Sequence, residues 1–135
     1  MNLDRLAALG ATLVVTIAVV VGLVLAGSPA EERDRRIDEQ RIAALQHLAS
    51  VISIYHRETG NLPARLAELV DGRNLQELPA DPRTGQPYEY EQATDGSYAL
   101  CAIFDAASQT DDAVGFWLYA PGRNCFRLTP DYGEN

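Results

Sequence analysis

The chain has 135 residues, 47% of them hydrophobic, and its nineteen acids against eleven basic residues give a formal charge of −8. Asp4 and Arg5 cancel at the amino end, so the acidic excess lies beyond the first apolar stretch. That balance argues against a basic patch for nucleic acid or for an anionic lipid surface, and the length leaves room for one small domain.

From Leu6 to Ala26 the chain reads LAALGATLVVTIAVVVGLVLA, uncharged and with only Thr12 and Thr16 polar. At 1.5 Å per residue this spans ~30 Å, about one hydrocarbon core, and predicts a transmembrane helix over 6–26 behind a short tail, 1–5. The alternative is a signal peptide cleaved after Ala26, where Val24 and Ala26 have the required spacing. An uncleaved anchor is the better reading, because the apolar stretch exceeds the usual signal length and only Arg5 makes its flank basic. No cysteine follows for lipid attachment. Ala18, Gly22 and Ala26 recur at i+4, as do Ala8, Thr12 and Thr16, a small-residue pattern that lets another helix approach closely and that also arises by chance in alanine-rich spans.

Two rules conflict over orientation. Arg33, Arg35, Arg36 and Arg41 follow the span closely and place the domain inside by basic-residue count. Cys101 and Cys125, an even pair in a small domain behind a membrane segment, fit a disulfide in an oxidising compartment, with two buried free thiols as the alternative. The cysteines are given the greater weight, which predicts a single-pass protein of a bacterial cytoplasmic membrane with its C-terminal domain in the periplasm.

Residues 27–30 form a hinge with helix-start chemistry: Ser28 as N-cap, Pro29 at the first helical position and Glu31 placed to complete a capping box. From Glu31 to Glu58 the apolar Ile37, Ala44, Leu45, Leu48, Ile52 and Tyr55 recur at helical spacing, predicting one long amphipathic helix closed by Gly60. A short helix is expected over Pro63–Val70. Alternation and turn residues then predict strands over 88–92, 97–104, 114–119 and 125–128, with Asp95-Gly96 turning the first hairpin. The fold class is therefore α+β, a long helix packed on an antiparallel sheet of about four strands, occupying 31–129 and followed by a loose tail, 130–135. Within it, Asp81 can accept backbone amides ahead of it, Pro82 fixes φ and Gly85 permits a positive φ. That stretch reads as a compact turn delivering Tyr88 and Tyr90 into the sheet.

Catalytic chemistry finds little support. His47 and His56 are nine apart on the long helix, about 180° out of phase at ~100° per residue, and cannot pair as metal ligands. There is no phosphate-binding glycine loop or nucleophile motif, and no cofactor is expected. Asp105, Asp111 and Asp112 are weak calcium candidates, their spacing matching no fixed loop. Alternation places Trp117 and Tyr119 on the face opposite Phe116 and Leu118, and the Trp117–Tyr119 face is the candidate docking patch.

Taken together, the apolar N-terminal helix, the amphipathic continuation Arg41-Ile42-Ala43-Ala44-Leu45 to Ile54-Tyr55, the Glu58-Thr59-Gly60-Asn61-Leu62-Pro63 turn and Leu78-Pro79-Ala80-Asp81-Pro82 through Gly85-Gln86-Pro87-Tyr88-Glu89-Tyr90 resemble the pilin and type II secretion pseudopilin superfamily. The stretches around Cys101 and Cys125 resemble membrane-anchored relatives with the same paired cysteines. Major pseudopilins bind calcium near their C-terminal loops, which is what directs attention to Asp105, Asp111 and Asp112. At the N-terminus the chain departs from the pattern: Gly10 follows Leu9, and Val15 stands where a pilin carries glutamate. The resemblance thus implies a non-enzymatic anchored protein, a structural or accessory subunit of a larger membrane complex, whether secretory, respiratory or photosynthetic. Its expected partners are the bilayer and other membrane-protein subunits. The alternatives are a pilin-like filament or secretion subunit, and a periplasmic small-ligand-binding domain.

Overall fold

The computed structural model describes residues 3–25, 28–108 and 115–131. The chain divides into two compact units, 1–33 and 34–135. In the first, α1 (Leu3–Leu25) is a helix long and apolar enough to cross a membrane. Leu9, Leu13, Val14, Ile17, Val20 and Leu23 stand between 53% and 70% exposed. Its threonines make no demand on the surroundings: the hydroxyls of Thr12 and Thr16 donate to the carbonyls of Ala8 and Thr12 at 2.9 and 2.8 Å.

Helix α2 (Pro29–Thr59) begins directly after Ser28, whose Oγ accepts the Ala30 amide at 3.3 Å. It ends where Gly60, at φ +74°, donates its amide to the His56 carbonyl. Leu45, Leu48, Ala49 and Ile52 are fully buried along one stripe, while Ile37 and Ala44 are half-buried.

Three strands follow, β1 (Glu89–Gln92), β2 (Tyr98–Phe104) and β3 (Gly122–Leu128), in an antiparallel meander of order β1-β2-β3. Asp95 shapes the first turn by accepting both the amide and the hydroxyl of Ser97. Alternation along β2 turns Tyr98, Leu100, Ala102 and Phe104 inward, and Phe126 and Leu128 of β3 join them. These residues and the buried stripe of α2 form one hydrophobic cluster.

Two expected elements are absent from the described residues, each for a local reason. The helix over Pro63–Val70 is reduced to a 3-10 turn at Leu66–Leu69. The Pro63 carbonyl, which a helix would offer to its i+4 amide, instead accepts the Tyr90 hydroxyl at 2.9 Å and the Gln92 amide at 2.5 Å. The fourth strand, expected over 114–119, does not form where it is described. The Ser108 amide reaches the Tyr119 carbonyl at 3.0 Å, but Ser108 Oγ and the Asn124 side chain take the amides of Tyr119 and Ala120 that a continued ladder would use. The Asn124 side chain also donates to the Ala120 carbonyl at 2.6 Å, and β3 starts at Gly122 rather than at Cys125.

Candidate functional site

Among the described residues, a dense cluster of charged side chains is centred on Arg41. Arg41 sits on the buried stripe of α2, one turn before Leu45, and is only 3% exposed, while Asp38 one turn earlier is 0% exposed. Three carboxylates close around the guanidinium. Arg41 Nη1 donates to Asp38 Oδ1 at 2.7 Å and to Asp105 Oδ2 at 2.5 Å; Nε and Nη2 form a fork on Asp81 at 2.5 and 3.3 Å. A second arginine, Arg83, bridges Asp105 at 2.8 Å to Asp34.

Two of the acids also hold backbone. Asp38 accepts the amides of Asp105, at 3.1 Å to either oxygen, and of Ala106, at 2.8 Å. Asp81 Oδ1 accepts the amides of Arg83 and Thr84, both at 2.9 Å. The turn closes through Gly85, at φ +70°, whose amide donates to the Asp81 carbonyl at 2.8 Å. One aspartate thus ends α2's tie to the Asp81 turn, and another ends its tie to the exit of β2.

The electrostatics follow from this enclosure. Burial disfavours the Arg41 charge, and the hydrogen bonds to Asp81, Asp105 and Asp38 outweigh it and raise its pKa. For Asp81, burial works upward, but the Arg41 guanidinium and the amides of Thr84 and Arg83 bring the carboxyl down to about 2. Beside them, burial and then the Asp81 charge push the Tyr88 phenol up to about 12, against the opposing effect of Arg41. All six carboxylate oxygens of Asp38, Asp81 and Asp105 accept at least one donor, so the cluster is a tie between elements.

The residues singled out in the sequence fall in different places. Asp81, Pro82 and Gly85 form the turn just described; Tyr88 is buried, and Tyr90 pairs with Leu100 across β1 and β2 and packs against the core. Cys101 and Cys125 are directly opposed on β2 and β3 and are joined by a disulfide. Ala18 and Gly22 lie on the open surface of α1, and Ala26 is outside the described residues. Asp105, a calcium candidate, directs both oxygens at arginines, and Asp111 and Asp112 also lie outside the described residues.

The docking patch requires a correction. Trp117 is 5% exposed, its ring 4.6 Å from that of Phe126, and Tyr119 stacks on Phe104 at 4.1 Å. The exposed pair is Phe116 and Leu118, at 50% and 49%. Alternation separates the two pairs correctly, but the larger ring is drawn inward because Phe126 and Phe104 leave an aromatic slot there.

No motif in the sequence marks Asp38 and Arg41 as a site. The available signal was phase: 38, 41, 45, 48 and 52 share one helical stripe, so a charged pair lies in register with the core. No protein-family model, curated protein or solved structure gives a significant match to this chain.

Proposed function

We propose that the protein is a non-enzymatic, single-span membrane protein whose pseudopilin-like domain stands in the periplasm as a structural or accessory subunit of a larger membrane complex. The observation that carries the reading is α1, which presents large apolar side chains on every side and satisfies its threonine hydroxyls internally. The disulfide supports an oxidising compartment. The Arg41 cluster supports a structural role, because its groups are consumed in holding α2 to two loops and offer no free base or nucleophile. The order of one long helix followed by a three-strand meander supports the pseudopilin comparison.

The test is purification of the tagged chain from native membranes in mild detergent. A stoichiometric membrane partner is expected, together with an intact mass that retains the N-terminal residues. Recovery of the chain alone would sink the accessory-subunit reading. Removal of a leader before the apolar stretch would shift the assignment to a filament subunit.

A further inference from the structure

The sheet has a second face, turned from the core, on which the proposed function makes no demand. There the two halves of the disulfide meet very different surroundings. Cys101, on the central strand, is 1% exposed, whereas Cys125, on the edge strand β3, is exposed. Cys125 borders an open groove of about 320 Å³, whose other walls include Glu91, Ala99 and Arg127; Cys101 does not line it. On the opposite side, Arg123 Nη2 lies 3.6 Å from Cys101 Sγ while the same guanidinium is held by Glu89 at 2.6 and 3.0 Å.

We infer that this disulfide is a directional thiol-exchange site, attacked at Cys125 from the groove and releasing Cys101 beside Arg123. The substrate class is a peptide-borne thiolate. The groove is of the size that admits a cysteine with a neighbouring residue, at the lower end of small-molecule sites of roughly 300–1,000 Å³. In the first step the incoming thiolate forms a bond to Cys125 Sγ. The Cys101–Cys125 bond breaks, and its electron pair departs on Cys101 Sγ, where the Arg123 charge stabilises the new thiolate. A lower leaving-group pKa accelerates this step. When the attacker is a dithiol, its second thiolate then attacks its own sulfur in the mixed disulfide and releases Cys125. The dithiol is oxidised to a disulfide, the chain gains two electrons, and the dithiol's two protons end on Cys101 and Cys125.

The fold accommodates this exchange. Tyr98, Leu100, Phe104, Phe126 and Leu128 form the core on the other face of the sheet, and the β2–β3 register extends on both sides of the cysteine pair. Neither cysteine belongs to that core cluster, so reduction breaks the cross-link without removing a core side chain. The inference holds whichever assembly the anchor serves.

The experiment uses the full chain in detergent micelles, exposed briefly to reduced glutathione at about pH 8, where about a quarter of an ordinary thiol is ionised, and quenched with iodoacetamide. Peptide mass spectrometry is expected to find glutathione on Cys125 and the alkyl group on Cys101. Arg123→Gln should slow the first exchange about three- to tenfold, and Glu89→Gln, which removes the nearer of the two carboxylates on the guanidinium and leaves Glu91 at 3.9 Å, should speed it by a smaller factor. Both positions are solvent-exposed, and a purely structural cross-link would not respond in opposite directions to the two changes. Glutathione on Cys101 or shared equally, reaction only in unfolding concentrations of denaturant, or rates indifferent to both substitutions would overturn the assignment. The position of the adduct is read on the unaltered chain and needs no variant to fold.

Discussion

Replacing Arg41 with methionine keeps the length and apolar stem of the side chain and removes its charge, leaving Asp38, Asp81 and Asp105 facing one another. Asp38 suffers most, since it is 0% exposed and loses the 2.7 Å bond from Nη1. Breaking a buried ion pair from one side costs about 3–5 kcal/mol. The amides of Asp105 and Ala106 still donate to Asp38 and the Asp81 turn keeps its own amides, so the lower end, about 3 kcal/mol, is expected. Against the roughly 5–15 kcal/mol of a small domain this is a large share. With a urea slope of about 1.5 kcal/mol/M the midpoint should fall by about 2 M. Trp117, the chain's one tryptophan, is buried against Phe126 and reports the transition by fluorescence. The double variant Arg41→Met/Asp38→Asn should recover part of the loss, because it removes the stranded charge and keeps an oxygen for the amides of Asp105 and Ala106. A loss under about 1 kcal/mol for Arg41→Met alone, the scale of an exposed pair, would refute the claim that this cluster is a buried tie.

Three further outcomes are expected. The Asp81 carboxyl is held at about 2 in the folded chain against an ordinary 3.8, so it contributes stability at and above pH 4 that is lost as pH falls from there towards 2. Asp81→Asn should flatten that part of an acid-unfolding curve followed by circular dichroism, and an unchanged slope would remove Asp81 from the account. Trp117→Ala should cost about 3–5 kcal/mol by lost burial and cavity formation, whereas Phe116→Ser on the exposed side should stay within about 0.5 kcal/mol, compared by thermal melts. Val15→Arg, in the middle of α1, should cost about 2.5–3.5 kcal/mol of membrane insertion. It should move the chain towards the carbonate-extractable fraction, and an unchanged pellet would count against a span.

The elements that rest on periodicity were legible before any coordinates. The apolar run, the stripe from Leu45 to Ile52, the hairpin around Asp95-Gly96 and the separation of Trp117 from Phe116 all express local spacing that one chain segment carries by itself. What escaped depends on partners far away in sequence. The Pro63 carbonyl is claimed by Tyr90 and Gln92, 27 and 29 residues on, and a helix signal at Pro63–Val70 carries no warning of that. Strand-like alternation over 114–119 likewise says nothing of Ser108 and Asn124 taking the hydrogen bonds. Arg41 meets Asp81 and Asp105 across 40 and 64 residues, and only the coincidence of its phase with the apolar stripe distinguished it from Arg36 or Arg57.

Those same separations impose an order on self-assembly. A helix turn closes within four residues and the β1–β2 hairpin within a dozen, but Asp38 can receive the amides of Asp105 and Ala106 only across 67 and 68 residues of chain. Those two bonds therefore belong to the docking of α2 on the end of β2 and to no local step of folding. The Asp105 and Ala106 amide protons become natural clocks for it, guarded from exchange with solvent only while the first part of the domain and the end of its central strand remain docked.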